Sequence, residues 1–199
     1  MAISYPLSTP TTIGIESIQL RAVNAVSTSQ SPFTYKQQIV AHQGQRWEAS
    51  VNIPSVRRDL AADWKAFLVA LKGQQGTFLL GDPDYASPRG DASFLAITGS
   101  AGDETVTALL TGTIKAGDYF QLGTGSNTRL HQVLVDRTGN GVDTVSLEIW
   151  PALRSNYSSS VSTLSNPKGL FRLANNMSSW SIDNASFYGI NFEAVEVLV

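Results

Sequence analysis

His42 and His131 are the two imidazoles of the chain. Either would need an orienting carboxylate and an exposed serine to act as the base of a nucleophilic triad. They fall in segments expected to lie in different domains, His42 at a hairpin end and His131 within a strand. Gly-x-Ser-x-Gly, the sharp turn that presents a serine nucleophile, does not occur. Asp82 and Asp84 flank Pro83, and Asp91 and Asp103 follow. Paired carboxylates can serve a glycosidase as acid and nucleophile, or can ligate calcium. The EF-hand spacing is missing, however, and Asp-Pro opens turns, so turn formation is the reading taken. Arg57-Arg58 and Arg89 read as an inter-subunit ion pair or a helix-start contact. Trp47, Trp64, Trp150 and Trp180 could form a sugar-stacking platform, but Trp47 and Trp64 fall on expected core faces, where packing explains them. Trp150, beside Pro151, stays open. With no Gly-rich phosphate loop or metal triad, the expected catalytic, cofactor-binding and metal residues are none.

Composition narrows the partners. The 199 residues can bury roughly 70% of their unfolded surface in one large domain or two small ones. Charged residues make up 15%, against a usual share of about a quarter. Such a surface suits a chain that hides itself against copies or partners, and also a Ser/Thr-rich secreted β-protein. A net charge of −2 and a pI near 5.6 argue against a nucleic-acid grip, which needs clustered Lys and Arg. The absence of cysteine removes disulfides and thiolate chemistry and leaves the compartment undecided. The first residues lack the charged-then-apolar pattern of a secretory signal, and no apolar run approaches the ~20 residues of a membrane span. The sequons at Asn156, Asn176 and Asn184 are therefore read as incidental.

One helix is expected, over about residues 59–72. Leu60, Trp64, Phe67, Leu68 and Leu71 recur at helical spacing, Asp59 can cap the start, and Gly73 can end the last turn left-handed. That apolar stripe must lie on a β-sheet, because the rest of the chain reads as strands and turns. A bulge is expected near Glu16-Ser17. A hairpin is expected with Phe33, Tyr35, Gln37, Ile39 and Ala41 alternating outward, a turn at Gln43-Gly44, and Trp47, Ala49, Val51 and Ile53 returning until Pro54 stops the strand. Residues 81–90 are dense with turn formers. Short strands are expected at 93–97, 105–109, 119–122, 129–136 and 144–149, separated by turns such as Gly139-Asn140-Gly141, with a linker at 156–166. The final run alternates Ile190, Phe192 and Ala194 inward and needs a sheet to join. These features give one discontinuous domain, residues 1–90 and 166–199, with residues 91–165 inserted as a second β-domain. Leu95, Ile97, Val106, Leu109, Phe120, Leu122, Leu130, Val133, Val135, Val145, Leu147 and Ile149 are the candidates for that second domain's own core.

Several phrases, in this order, resemble the distal tail protein of long, non-contractile-tailed bacteriophages and of phage-like gene transfer agents. They are Ile3-Ser4-Tyr5-Pro6-Leu7, Gly44-Gln45-Arg46-Trp47, Trp64-Lys65-Ala66-Phe67-Leu68 with Leu71-Lys72-Gly73, and Gly76-Thr77-Phe78-Leu79-Leu80-Gly81-Asp82-Pro83. The later half adds Lys115-Ala116-Gly117-Asp118-Tyr119-Phe120-Gln121-Leu122-Gly123, Ile149-Trp150-Pro151-Ala152-Leu153-Arg154 and Gly169-Leu170-Phe171-Arg172-Leu173. The resemblance spans nearly the whole chain and is a pattern of strands and turns, with no catalytic signature.

It implies a mainly β protein: a tail-tube-like β-sandwich or barrel with one flanking α-helix, plus an inserted small β-barrel domain. It also implies a structural virion protein at the distal end of a phage tail, made in the host bacterial cytoplasm. Six copies would form a ring joining the tail tube protein to the baseplate hub protein, and its channel would pass the tape measure protein and then DNA. Neither cofactor nor membrane insertion is implied. Two other readings stand beside it. One is a carbohydrate-binding β-sandwich module or adhesin acting in host recognition, favoured if Trp150 and Tyr157 share an exposed platform. The other is a small hydrolase using Asp82 or Asp84.

Overall fold

Trp47, Ala49, Val51 and Ile53 are buried while Glu48, Ser50 and Asn52 turn to the opposite face. That period of two is the pattern on which the larger of two sheets is built. A computed structural model describes residues 3–198. In chain order it shows β1 (Leu7–Ser8), β2 (Ser17–Gln30), β3 (Gln37–Arg57), helix α1 (Arg58–Ala70) and β4 (Phe78–Leu80). The middle of the chain supplies β5 (Phe94–Gly99), β6 (Thr105–Ile114), β7 (Tyr119–Leu122), β8 (Arg129–Val133), β9 (Arg137–Trp150) and β10 (Tyr157–Val161). The chain ends with β11 (Gly169–Leu173), β12 (Trp180–Ile182) and β13 (Phe187–Glu196).

The larger sheet has the order β1-β4-β11-β13-β3-β2, with β12 also paired to β13. The smaller has the order β10-β5-β6-β9-β8-β7. Gln121 and Thr163 exchange two backbone hydrogen bonds of 2.9 Å, which draws the two edges of the smaller sheet together into a nearly closed barrel. The protein is thus mainly β, a sheet with one flanking α-helix joined to a barrel-like sheet. The terminal run joins the larger sheet as β13, antiparallel to β3 from Phe187↔Arg57 to Val195↔Glu48.

Helix α1 covers the larger sheet with Ala61, Trp64, Phe67 and Leu68, and Leu71 follows at its C-terminal end. Burying each large member is worth about 1.5–3 kcal/mol. The Trp64 ring meets Phe67 edge-on at 5.6 Å, and Phe67 meets Phe78 at 5.4 Å, while the Trp64 Nε1–H donates to the Ile13 carbonyl (3.2 Å). Three expectations for the helix are corrected. Leu60 stays 44% exposed, and the small Ala61, which lets the helix approach the sheet, is buried in its place. Asp59 makes no cap, because the helix starts directly from extended Arg57 with no side-chain cap. The left-handed turn begins one residue early, at Lys72 (φ 51°), and Gly73 continues it.

The hairpin also differs from expectation. β3 runs unbroken through Gln43-Gly44, and its partner is β2, with the reversal at residues 31–36. Gln43-Gly44 lies in a bulge, where the pairing steps from Asn24↔Gln45 to Val26↔Ala41. A Cβ on Gly44 would come within 2.9 Å of the Ala25 Cβ, so the close approach needs glycine. Pro54 does not stop the strand, because it falls where β13 also shifts register, between Tyr188 and Ile190, and a bulge tolerates a missing N–H. The expected bulge at Glu16-Ser17 gives way to regular pairing from Ser17↔Asn52 onward.

In the smaller sheet, Gly139-Asn140-Gly141 is no turn between strands: Gly139 and Asn140 pair with Gly112 and Thr111 of β6, and a bulge over residues 141–143 of β9 follows, opposite the Leu109–Thr111 step. The 156–166 stretch contains strand β10, which the barrel edge recruits despite its Ser-rich composition. The strand from 129 stops at Val133, and Val135 is exposed. Leu130 packs with the core of the larger sheet, alongside Tyr119 and Trp150.

Trp64→Ala is expected to lower stability by about 3–5 kcal/mol in urea melts by opening a cavity under α1. Leu60→Ala should shift it by no more than about 0.5 kcal/mol, as for other surface positions.

Candidate functional site

Beyond the Gly44 bulge, β2 and β3 continue as a two-stranded arm whose residues are exposed on both faces. The paired stretch from Val26↔Ala41 to Gln30↔Gln37 extends about 15–20 Å at the usual rise of a strand. Its tip closes through Tyr35 N–H to the Ser31 carbonyl (2.9 Å), with Tyr35 left-handed at φ 55°. Val26, Ile39 and Val40 are exposed along it, Phe33 is 91% exposed and Tyr35 is 75% exposed. An isolated hairpin is at best marginal in water, and an apolar one is a pairing surface.

The root of the arm is locked to the smaller sheet. Trp47 Nε1–H donates to the Leu130 carbonyl (3.0 Å), and its ring packs edge-on against Trp150 at 4.5 Å. Trp150 Nε1–H in turn donates to Asn24 Oδ1 (2.8 Å). The Trp47 backbone N–H donates to Glu196 Oε2 (3.0 Å), which also accepts from Arg154 Nη2 (3.1 Å). Gln45 completes the lock. Its carbonyl accepts from Arg154 (2.6 Å), its Oε1 accepts from the Ala152 N–H (2.7 Å), and its amide donates to Glu104 Oε1 (2.6 Å).

The residues singled out for chemistry are scattered. His42 is exposed on the arm, whereas His131 is fully buried in β8, stacked on Phe120 at 5.4 Å. Burial pulls the His131 pKa down to about 4, with the charges of Arg154 and Arg129 adding to the shift and a bond to the Pro151 carbonyl opposing it. The ring is therefore neutral at pH 7, and Nδ1–H donates to Pro151 O (2.8 Å). Asp82 Oδ1 accepts from the Asp84 N–H (3.0 Å) and Asp103 from the Ser100 N–H (2.7 Å), so both act as turn formers, whereas Asp91 reaches across to accept from the Thr113 N–H of β6 (2.7 Å). That last bond heads the causes holding the Asp91 carboxyl below the usual carboxylate range. Arg89 pairs with buried Asp118 (3.3 Å), while Arg57 and Arg58 have no ion-pair partner among the described residues. Trp180 lies 6.0 Å from the Lys65 ammonium. Trp150 and Tyr157 pack with different cores and form no joint platform.

The groups that sequence reasoning passed over are Asp118, Arg129, Arg154 and Glu196. Glu196 was legible, because it continues the inward phase of Ile190, Phe192 and Ala194. Asp118 follows Gly117 just before β7, and its carboxylate accepts from the Lys115 N–H (2.9 Å) and the Arg89 N–H (3.1 Å). Arg129 and Arg154 carried no local signal.

Among the described residues, no group of three or more His, Asp or Glu could hold a metal ion, and no helix is long and apolar enough to cross a membrane. No family model matches the chain, and no curated protein matches it. The class defined by the fold and this site is a mainly β protein with one flanking α-helix and an exposed two-stranded arm.

Two measurements probe this region. His131 has a lower pKa folded (about 4) than unfolded (about 6.5), so the unfolded chain takes up the proton first. Stability should therefore rise with pH across that window and fall by about 3 kcal/mol as pH drops from 6.5 to 4. His131→Asn should remove that part of the slope in urea melts run at successive pH values. Glu196→Leu, which strands the part-buried Arg154, should cost about 3 kcal/mol, and adding Arg154→Met should recover part of the loss.

Proposed function

We propose that this chain is a structural ring subunit, the distal tail protein of a phage-like particle, with six copies joining the tail tube to the baseplate hub. The exposed arm carries this reading. Its apolar residues have water on both faces, an arrangement that is stable only when covered, and a second copy in a ring supplies the cover. The outer edge of β2 is a second open feature, because it ends the larger sheet and can accept a neighbour's strand. An arm that docks on a different patch of its neighbour makes a heterologous contact, and such contacts close into a ring when the rotation between neighbours completes a circle.

The thin, slightly acidic charge suits a channel past which tape measure protein and DNA slide without sticking. We assign no catalytic role. His42 stands alone on the arm, His131 is sealed in the barrel, and the aspartates at 82, 84, 91 and 103 are engaged by backbone N–H groups or held in their own turns.

Single-particle electron microscopy of the assembled particle tests the assignment. The expected result is a closed ring of this chain at the tail tip, six-fold in symmetry. Phe33→Asp with Ile39→Lys should abolish ring incorporation and leave the melting temperature of the free subunit nearly unchanged, because both side chains are already in water. Location at a three-fold spike tip or on a capsid would overturn the reading. So would rings that form equally well with the charged arm.

A further inference from the structure

Arg129 is only 5% exposed, yet among the described residues it forms no ion pair. It opens β8, and its Nη1 donates to the carbonyls of Ser126 (3.2 Å) and Thr128 (2.9 Å). Those two bonds use one nitrogen of the guanidinium. Among the described residues Nε and Nη2 have no protein acceptor, and neither is sealed from solvent. An arginine cannot shed its proton to escape burial, so the charge stays. A buried charge without a counter-ion is costly, and two neutral carbonyls compensate only part of that cost.

Arg129 lines an open cleft of about 620 Å³ on the smaller sheet, bordered by Thr124, Ser126, Asn127, Ser155 and Tyr157, and its charge acts on the Tyr157 phenol. That volume lies within the range of small-molecule sites. The border offers hydroxyls and an amide, and no carboxylate. Tyr157 is half-buried; burial raises its phenol pKa against the pull of Arg129, so it stays protonated and brings no balancing charge. Its ring supplies the one aromatic face of the cleft.

We propose that this cleft binds an anionic saccharide, a sugar or polyol unit bearing a carboxylate or phosphate. Arg129 is the anion clamp, and the Ser126, Asn127, Ser155 and Tyr157 side chains serve the ligand's hydroxyl groups. A guanidinium with two free donors in one plane matches the two oxygens of a carboxylate or phosphate. Hydroxyl and amide side chains around it match a polyhydroxylated body better than an apolar one. The cleft lies on the smaller sheet, whereas the arm projects from the larger one, so the site stands whether or not the chain forms rings.

Titration of the full chain by 15N–1H NMR tests this, with glucuronate, glycerol phosphate, glucose and inorganic phosphate as four separate probes. The expected result is saturable movement of the Arg129 Nε–H and of the amides at 123–127 with glucuronate, glycerol phosphate or both, and about tenfold weaker binding of glucose. The stronger of the two acids identifies whether the anion is a carboxylate or a phosphate. Ser155→Asp places a carboxylate beside the guanidinium at an exposed position and should weaken binding by about tenfold or more, with the remaining spectrum unchanged. Arg129→Gln provides the second variant and should abolish it. The proposal fails if neither acid binds saturably, or if Ser155→Asp and Arg129→Gln, both folded, bind like the parent chain. It also fails if inorganic phosphate binds as tightly as either organic acid, which would mean an adventitious ion only.

Discussion

The lock at Trp47 holds the two sheets to each other and to the root of the arm. One residue packs its ring on Trp150, donates its indole N–H to Leu130 and donates its backbone N–H to Glu196. Glu196 is nearly sealed from water, so its charge is tolerable only because Arg154 and that N–H share one oxygen. Arg154 also grips the Gln45 carbonyl, one residue beyond the Gly44 bulge. Everything that projects from the larger sheet is therefore aimed by a few desolvated polar contacts. Such contacts are directional, and apolar packing alone is not, which is why this joint can set the orientation of the arm.

Bulges do the rest of the aiming. At Gly44 the pairing slips and the local twist rises, which is where the arm leaves the covered part of the sheet. At Pro54 a second slip lets β3 keep its pairing with β13 despite a missing donor, so one strand reaches from the tip of the arm to the start of the helix. The helix begins with no intervening loop, and its position against Phe78 and Phe192 follows from that continuity. The barrel-like sheet is pinned separately, where Arg89 and backbone N–H groups satisfy the buried carboxylate of Asp118.

Charge is sparse, and most of what is buried is matched. Asp118 and Glu196 each have a guanidinium, and His131 avoids the problem by staying neutral. Arg129 departs from that pattern, and it lines an open cleft. Arg57 and Arg58 also lack ion-pair partners among the described residues, but they stand in water at the start of the helix, whereas Arg129 is buried. The arm, by contrast, offers shape and apolar area, which suit a permanent contact with another copy.

Much of this was legible in the residues alone. Helical spacing of Trp64, Phe67, Leu68 and Leu71 placed the helix and its buried face, because one turn repeats regardless of what lies beneath it. Alternation located β3 and β13, and the inward phase of β13 even points to Glu196. Pairing was not legible in the same way. Gln43-Gly44 has turn chemistry, and only the approach of Ala25 from β2 decided that it is a bulge in a longer strand. Ser-rich 157–161 has little strand propensity, and the barrel edge made it a strand by offering hydrogen bonds. Arg129 and Arg154 look alike in sequence. Tertiary structure gave one a carboxylate and left the other facing a cleft, because burial and partner choice depend on residues distant along the chain and periodicity reports only on neighbours.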